Sequence, residues 1–169
     1  MAKPNPSDYS LFSSHYIMSV LEDDLQEALK NQWPILEAFL DTLPEAKADY
    51  AYAPGKWTIK QLVQHMTDTE RIFAHRALWI VRKASSPLTS FDENEFAKAA
   101  DVSRVSLKEL IAEFKAVRKS TEFLYSKLTE EELNTKGKVN EHMLSVKSTG
   151  FIIVGHFIHH KRILEERYL

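Results

Sequence analysis

Three times in this chain a Ser or Thr is followed three residues later by Glu or Gln at the head of a patterned segment: Thr58 with Gln61, Ser106 with Glu109, and Thr129 with Glu132. This spacing is a capping box, in which two side chains satisfy the first free backbone donors of a helix. After the first box, Ile59, Leu62, Met66, Thr69, Phe73, Arg76 and Ile80 trace one helical face as far as about Lys83. Trp57, just ahead of that cap, is placed to staple onto Leu62. After the second box, Leu107, Leu110, Ile111, Phe114, Val117, Thr121, Leu124 and Leu128 do the same. The third box opens one or two turns that end near Lys136-Gly137. A chain punctuated in this way is committed to helices.

The remaining segments fit that commitment. Leu25, Ala28, Leu29, Gln32, Leu36, Phe39, Leu40 and Leu43 define an earlier helix from about Asp23 to Leu43. Pro34 lies inside it and is expected to bend or split it, because a mid-helix proline removes a hydrogen bond. A last helix is expected from about Val146 to Arg167. Between helices, Glu45 to Gly55 is polar and closes on the turn signal Pro54-Gly55. Ala84 to Val105 is a long connection with a short helix near Glu93–Ala100, and Lys138 to Ser145 reads as a loop. Residues 1–20 form an N-terminal lead-in whose Tyr9, Phe12 and Tyr16 are expected to pack on the body. Only 4 glycines occur in 169 residues, too few for a turn-rich β fold. The expectation is a single all-α domain over 1–169, a four-helix bundle with long connections.

Charge and composition narrow the function. A net charge of −2 gives no electrostatic case for nucleic acid or an anionic membrane as partner. With no cysteine, disulfides, thiolate ligands and a cysteine nucleophile are excluded. Met1-Ala2-Lys3-Pro4-Asn5-Pro6 contains no hydrophobic signal core, and no apolar stretch is long enough to span a bilayer, so a cytoplasmic location is expected.

Any metal must therefore be held by imidazole, carboxylate or water, and the histidines become informative. In Gly155-His156-Phe157-Ile158-His159-His160, residues four apart lie one turn above each other on a helix, so His156 and His160 can share one ion. His159 competes with His160, but the four-residue step rotates by about 40° against about 60° for three. His65 lies near the buried face of the second helix, three residues beyond Leu62. Three imidazoles from two helices suit zinc, nickel or iron(II) and leave coordination positions open to water or substrate. The competing interpretation is that these are hydrogen-bonded core or rim histidines without a metal. His15, His75 and His142 have no such pattern around them. Asp68, one turn beyond His65, is a candidate catalytic carboxylate that orients a ligand imidazole or takes a proton; a solvated helix carboxylate is its plainer role. Trp57 and Trp79 line a pocket or, more simply, pack in the core.

The segment Ala53-Pro54-Gly55-Lys56-Trp57-Thr58-Ile59-Lys60, with His65, Asp68, Glu70 and Arg76, resembles the second-helix signature of the DinB/YfiT-like superfamily. Gly155 to His160, continued through Ile163-Leu164-Glu165-Glu166-Arg167-Tyr168-Leu169, is similar to that family's last helix. Leu88 to Ala100 and Glu113 to Arg118 match its general layout, so the resemblance covers roughly Leu25 to Leu169. It implies a four-helix bundle, often a homodimer, with a divalent metal on one histidine of the second helix and two of the fourth. His65, His156 and His160 stand at those positions, and His159 is left to the rim. Glu70 and Arg76 match family positions and are read as a structural ion pair or cap. Members of the family include metal-dependent transferases that use low-molecular-weight thiols, a thiol-dependent isomerase and proteins described as metal hydrolases.

Two function classes follow. One is a metal-dependent transferase or hydrolase that activates a thiol or water against a small-molecule electrophile. The other is a non-catalytic bundle used for ligand binding or dimerisation, its site empty or structural. Direct DNA binding lacks a basic stripe.

Overall fold

The structure is a computed structural model that describes residues 2–169. Four long helices make the bundle: α2 (Leu25–Leu40), α3 (Ile59–Val81), α5 (Leu107–Tyr125) and α7 (Val146–Arg167). Shorter pieces are α1 (Ser14–Ser19), α4 (Glu93–Ala99) and α6 (Glu130–Leu133), and a hairpin of β1 (Lys136–Val139) and β2 (His142–Ser145) precedes α7. No helix among the described residues is long and apolar enough to cross a membrane.

The capping boxes sit where their spacing places them. The side chains of Thr58, Ser106 and Thr129 each accept from the backbone three residues on, and the Gln or Glu there reaches back to the cap. A fourth box, Ser145 with Ser148, starts α7. Pro34 does not split α2, which runs unbroken from Leu25 to Leu40. Pro34 and Lys30 both face solvent, so the carbonyl that loses its partner is free to bond water.

Lys138 to Ser145 is not a loop. Lys136 pairs with Ser145 and Val139 with His142 in an antiparallel ladder closed by Asn140-Glu141. Asn140 adopts φ 49°, a left-handed conformation that Asn tolerates better than most residues. Its backbone N–H donates to the Leu88 carbonyl and its side-chain amide to Ser90 Oγ. The hairpin is thus held by the long connection beside it, a contact that four-residue strands do not announce in sequence.

The core divides in two. One apolar cluster includes Leu25, Leu29, Ile80, Tyr125, Phe151 and Ile152. The other includes Leu36, Leu40, Met66, Phe114, Phe157 and Leu164. Between them lies a buried polar layer to which all four long helices contribute. Arg118 on α5 is 0% exposed and Glu70 on α3 is 3% exposed. Arg118 Nε donates to Glu70 Oε1 at 2.9 Å and Nη2 donates to Oε2 at 2.9 Å. Arg118 Nη1 donates to Gln32 Oε1 on α2 at 2.5 Å, and Gln32 Nε2 donates to the Val154 carbonyl on α7 at 2.8 Å. Glu70 and Arg76, expected as a structural ion pair or cap, are not bonded to each other: Glu70 pairs with Arg118, and Arg76 donates to the Thr89 carbonyl.

The lead-in folds as two 3-10 turns and α1, and α1 packs on α7. Gly155 permits the close approach: a Cβ there would lie 2.0 Å from the Tyr16 carbonyl oxygen. That atom belongs to backbone and has no rotamer with which to move aside.

Removing one member of the polar layer should cost more than removing both charges. Arg118→Met is expected to destabilise the fold by about 3–5 kcal/mol, because Glu70 is left buried and uncompensated. Arg118→Met combined with Glu70→Leu should recover part of that loss in urea unfolding. A single-variant cost below about 1 kcal/mol would contradict the role given to the pair.

Candidate metal centre

His65 is placed by α3, and His156 and His160 by successive turns of α7, the helix against which α3 packs. The three rings point their Nε2 atoms at one another. His65 Nε2 lies 3.0 Å from His156 Nε2 and 3.2 Å from His160 Nε2, and the last two are 3.0 Å apart. All three residues are buried, at 8%, 6% and 6% exposure.

This triangle cannot be satisfied by hydrogen bonds alone. In a neutral imidazole each ring nitrogen either donates or accepts. Three mutually adjacent Nε2 atoms therefore leave at least one pair mismatched in every tautomer: two lone pairs or two N–H groups face each other. A cation at the centre meets three lone pairs at once. With metal–nitrogen bonds of about 2.0–2.1 Å, a tetrahedral site separates its ligand nitrogens by roughly 3.3–3.4 Å and an octahedral face by roughly 2.8–3.0 Å. The observed edges of 3.0, 3.2 and 3.0 Å fall between those values. The donor set fits a divalent transition metal, and these are the three histidines whose ligand atoms cluster among the described residues.

The electrostatics agree with lone pairs facing inward. Burial, with the neighbouring His159, lowers the His65 pKa to about 4. Burial first, and then the adjacent imidazoles, hold His156 and His160 well below the ordinary imidazole value. All three rings are neutral at pH 7, the form that binds metal.

Aromatic side chains set the rings in place. The Trp57 indole is tilted over His65 with centroids 4.6 Å apart, and Tyr16 stands edge-on to His156 at 5.4 Å. His159 sits at the rim, 5.6 Å from His15 and 5.5 Å from Tyr16 between ring centroids. The Nδ1 of His160 is buried without a hydrogen-bond partner among the described residues.

Asp68 is not gathered into this cluster. One of its carboxylate oxygens accepts from Gln64 Nε2 at 2.9 Å and lies 3.7 Å from Arg71 Nη1. Burial raises its pKa, against the opposing effects of Gln64 and Arg71. His75 is exposed beside Trp79, and the Trp79 indole N–H donates to the Ser86 carbonyl. His142, by contrast, lies on the hairpin and lines the cavity described next.

A cavity of about 350 Å³ opens beside the histidines. Besides the histidines, its walls include the lead-in (Tyr16), α3 (Phe73, Arg76), the long connection (Phe91) and the hairpin (Met143). Trp57 and His160 line it and also border a second hollow of about 230 Å³. Tyr16, Arg76 and the hairpin were not legible as site residues. The one local hint was Gly155 beside His156, the mark of backbone packed close to the ligand helix.

A helical bundle with three imidazoles converging from two of its helices defines the architectural class. Residues 28–164 match the model of the DinB superfamily, and the chain belongs to that family. Among solved structures it is similar to YfiT from Bacillus subtilis, described as a probable metal-dependent hydrolase with an unusual four-helix bundle topology. That match has 16% identity and a TM-score of 0.70, and covers 97% of this chain and 90% of YfiT. The mycothiol-dependent maleylpyruvate isomerase matches at 12% identity and TM-score 0.66, over 80% of this chain and 57% of the isomerase. A DinB-like protein of Bacillus subtilis, YjoA, matches at 17% identity and TM-score 0.59, over 85% of this chain and 88% of that one. No curated protein matches the chain in sequence.

The buried neutral histidines make the metal-free fold acid-sensitive. A depressed imidazole pKa means that the unfolded chain binds more protons, so stability is full above about pH 6.5 and falls toward the folded value, about 4 for His65. Between about pH 7 and about pH 5 the loss should reach about 2 kcal/mol from this group alone. Chemical denaturation of metal-stripped protein at several pH values reads it, and His65→Asn should flatten the slope. Equal slopes for the two proteins would remove His65 as the cause.

Proposed function

We propose that His65, His156 and His160 hold a divalent transition metal, zinc, nickel or iron(II), and that the protein is a metal-dependent transferase or hydrolase acting on a small-molecule electrophile. The observation that carries the proposal is the Nε2 triangle, which no arrangement of imidazole protons satisfies and one cation does. A bound divalent cation supplies the Lewis acidity that makes a water or thiol nucleophilic near neutral pH.

The chain's own residues do the rest. The histidines supply three neutral ligands and leave the cavity side uncovered. Trp57 and Tyr16 wall the site and keep the rings from turning. The cavity of about 350 Å³ is at the lower end of the ligand-pocket range, roughly 300–1,000 Å³. Because the chain has no cysteine, a sulfur nucleophile must arrive as a low-molecular-weight thiol cosubstrate. The likeness to a mycothiol-dependent isomerase supports the thiol, and the likeness to YfiT supports water. Asp68 is too engaged with Gln64 and Arg71 to be the first choice of base.

We propose further that the protein works as a homodimer in the cytoplasm. Leu11, Phe12, Met18 and Leu21 are large apolar side chains exposed on the N-terminal segment and support a face between copies.

Protein purified without chelator should carry close to one equivalent of transition metal by elemental mass spectrometry, and His156→Ala should lose it. The loaded protein should consume an electrophile with either water or an added thiol, and chelation should stop the reaction. Wild type that stays metal-free after incubation with zinc, nickel and iron(II) would end this reading and leave a binding scaffold.

A further inference from the structure

The cavity contains a cation that forms no ion pair among the described residues. Arg76, on α3, is 7% exposed and lines the same cavity as the histidines. Among the described residues its one hydrogen bond runs from Nη2 to the Thr89 carbonyl at 2.9 Å. Its guanidinium carbon lies 4.9 Å from the Phe73 ring centroid and 5.7 Å from that of Phe91. Burial lowers its pKa, and no carboxylate opposes that effect. The nitrogens left over are not sealed in protein, since the buried polar atoms without partners do not include them. Arg118 shows what this fold does with a structural arginine, closing a carboxylate onto it on both edges.

A tether to Thr89 explains one N–H of five. A buried guanidinium packed against two aromatic rings, with unbonded donors at a cavity wall, is a preorganised receptor for a planar anion. Glu93 lines the same cavity and makes it less hospitable to a dianion, which favours a carboxylate over a phosphate. Arg76 is eleven residues beyond His65, about 16 Å along the helix axis and rotated from it by only about 20°. Both side chains lean toward the N-terminal end of α3, the longer arginine further than the imidazole, so the gap between their tips is shorter than that. Thr69 and Phe73 lie on α3 between the two ends and line the cavity there.

We propose that the cavity binds an elongated molecule with a carboxylate at one end, held by Arg76, and its reacting group at the histidine end. The position of the reacting group rests on the metal-dependent reading above, whereas the carboxylate subsite does not. Arg76 is a specificity residue, remote from the chemistry.

The test therefore uses metal-stripped protein and matched probes: 4-phenylbutyrate, its uncharged amide 4-phenylbutanamide, and 3-phenylpropylphosphonate. Calorimetry should show the carboxylate binding at least about tenfold more tightly than the amide, the scale of a charge-assisted hydrogen bond. The Arg76 Nε–H resonance in 15N spectra should shift with the carboxylate and not with the amide. Arg76→Gln should erase the preference while retaining wild-type metal content on reloading, which separates this proposal from the metal site. Equal binding of acid and amide, no binding of either, or a preference that survives in Arg76→Gln overturns it. Tighter binding of the phosphonate overturns the assignment to carboxylates. If Arg76→Gln does not fold, the acid–amide comparison and the Arg76 resonance in wild type decide the matter.

Discussion

The Arg118–Glu70–Gln32 layer is the interaction on which the rest of the molecule depends. It ties α5 to α3 and α2, and Gln32 carries the connection to the Val154 carbonyl of α7. Apolar packing above and below it is tolerant of small rotations and slides, but a bidentate ion pair with fixed donor directions is not. A buried pair of this kind contributes little net stability beside an apolar equivalent. What it does here is select one register. Glu70 lies five residues beyond His65, and Val154 two before His156, so the chain of bonds that links α3 to α7 through Arg118 and Gln32 runs close beside the histidines.

With the register set, the chemistry of the triangle follows from local surroundings. Burial keeps the imidazoles neutral, and neutrality is what turns three crowded rings from mutually repelling cations into a ligand set. Trp57, Tyr16 and His159 pack against the rings, and among the described residues no carboxylate bonds to them. Imidazole orientation is commonly set by hydrogen bonds to the far nitrogen. In this site, ring packing does much of that work.

The bundle was legible in the sequence because helix starts are written locally. Thr58, Ser106 and Thr129 each carry a cap and its partner within four residues, and the apolar stripes follow at once. His156 and His160 were legible for the same reason, being one turn apart. Distant pairings were not. Arg118 sits on its helix as one polar residue among several, and nothing local says that its partners are Glu70 and Gln32. The hairpin escaped notice because its strands are four residues long and one partner of Asn140 is Leu88, far back in the chain. Pro34 misled because a proline on the solvent face costs less than one facing the core. Tyr16 belongs to the site only because Gly155 lets a distant backbone approach.

That last contact joins two distant parts of the chain. The residues matching the family model begin at 28, so they include His65, His156 and His160 but not the stretch that brings Tyr16 to the cavity wall. The nitrogen ligands and this wall are thus encoded in different parts of the chain, joined at a glycine whose missing side chain makes room for the Tyr16 carbonyl. A substitution at Tyr16 can therefore change the cavity wall while the three histidine nitrogens stay where they are.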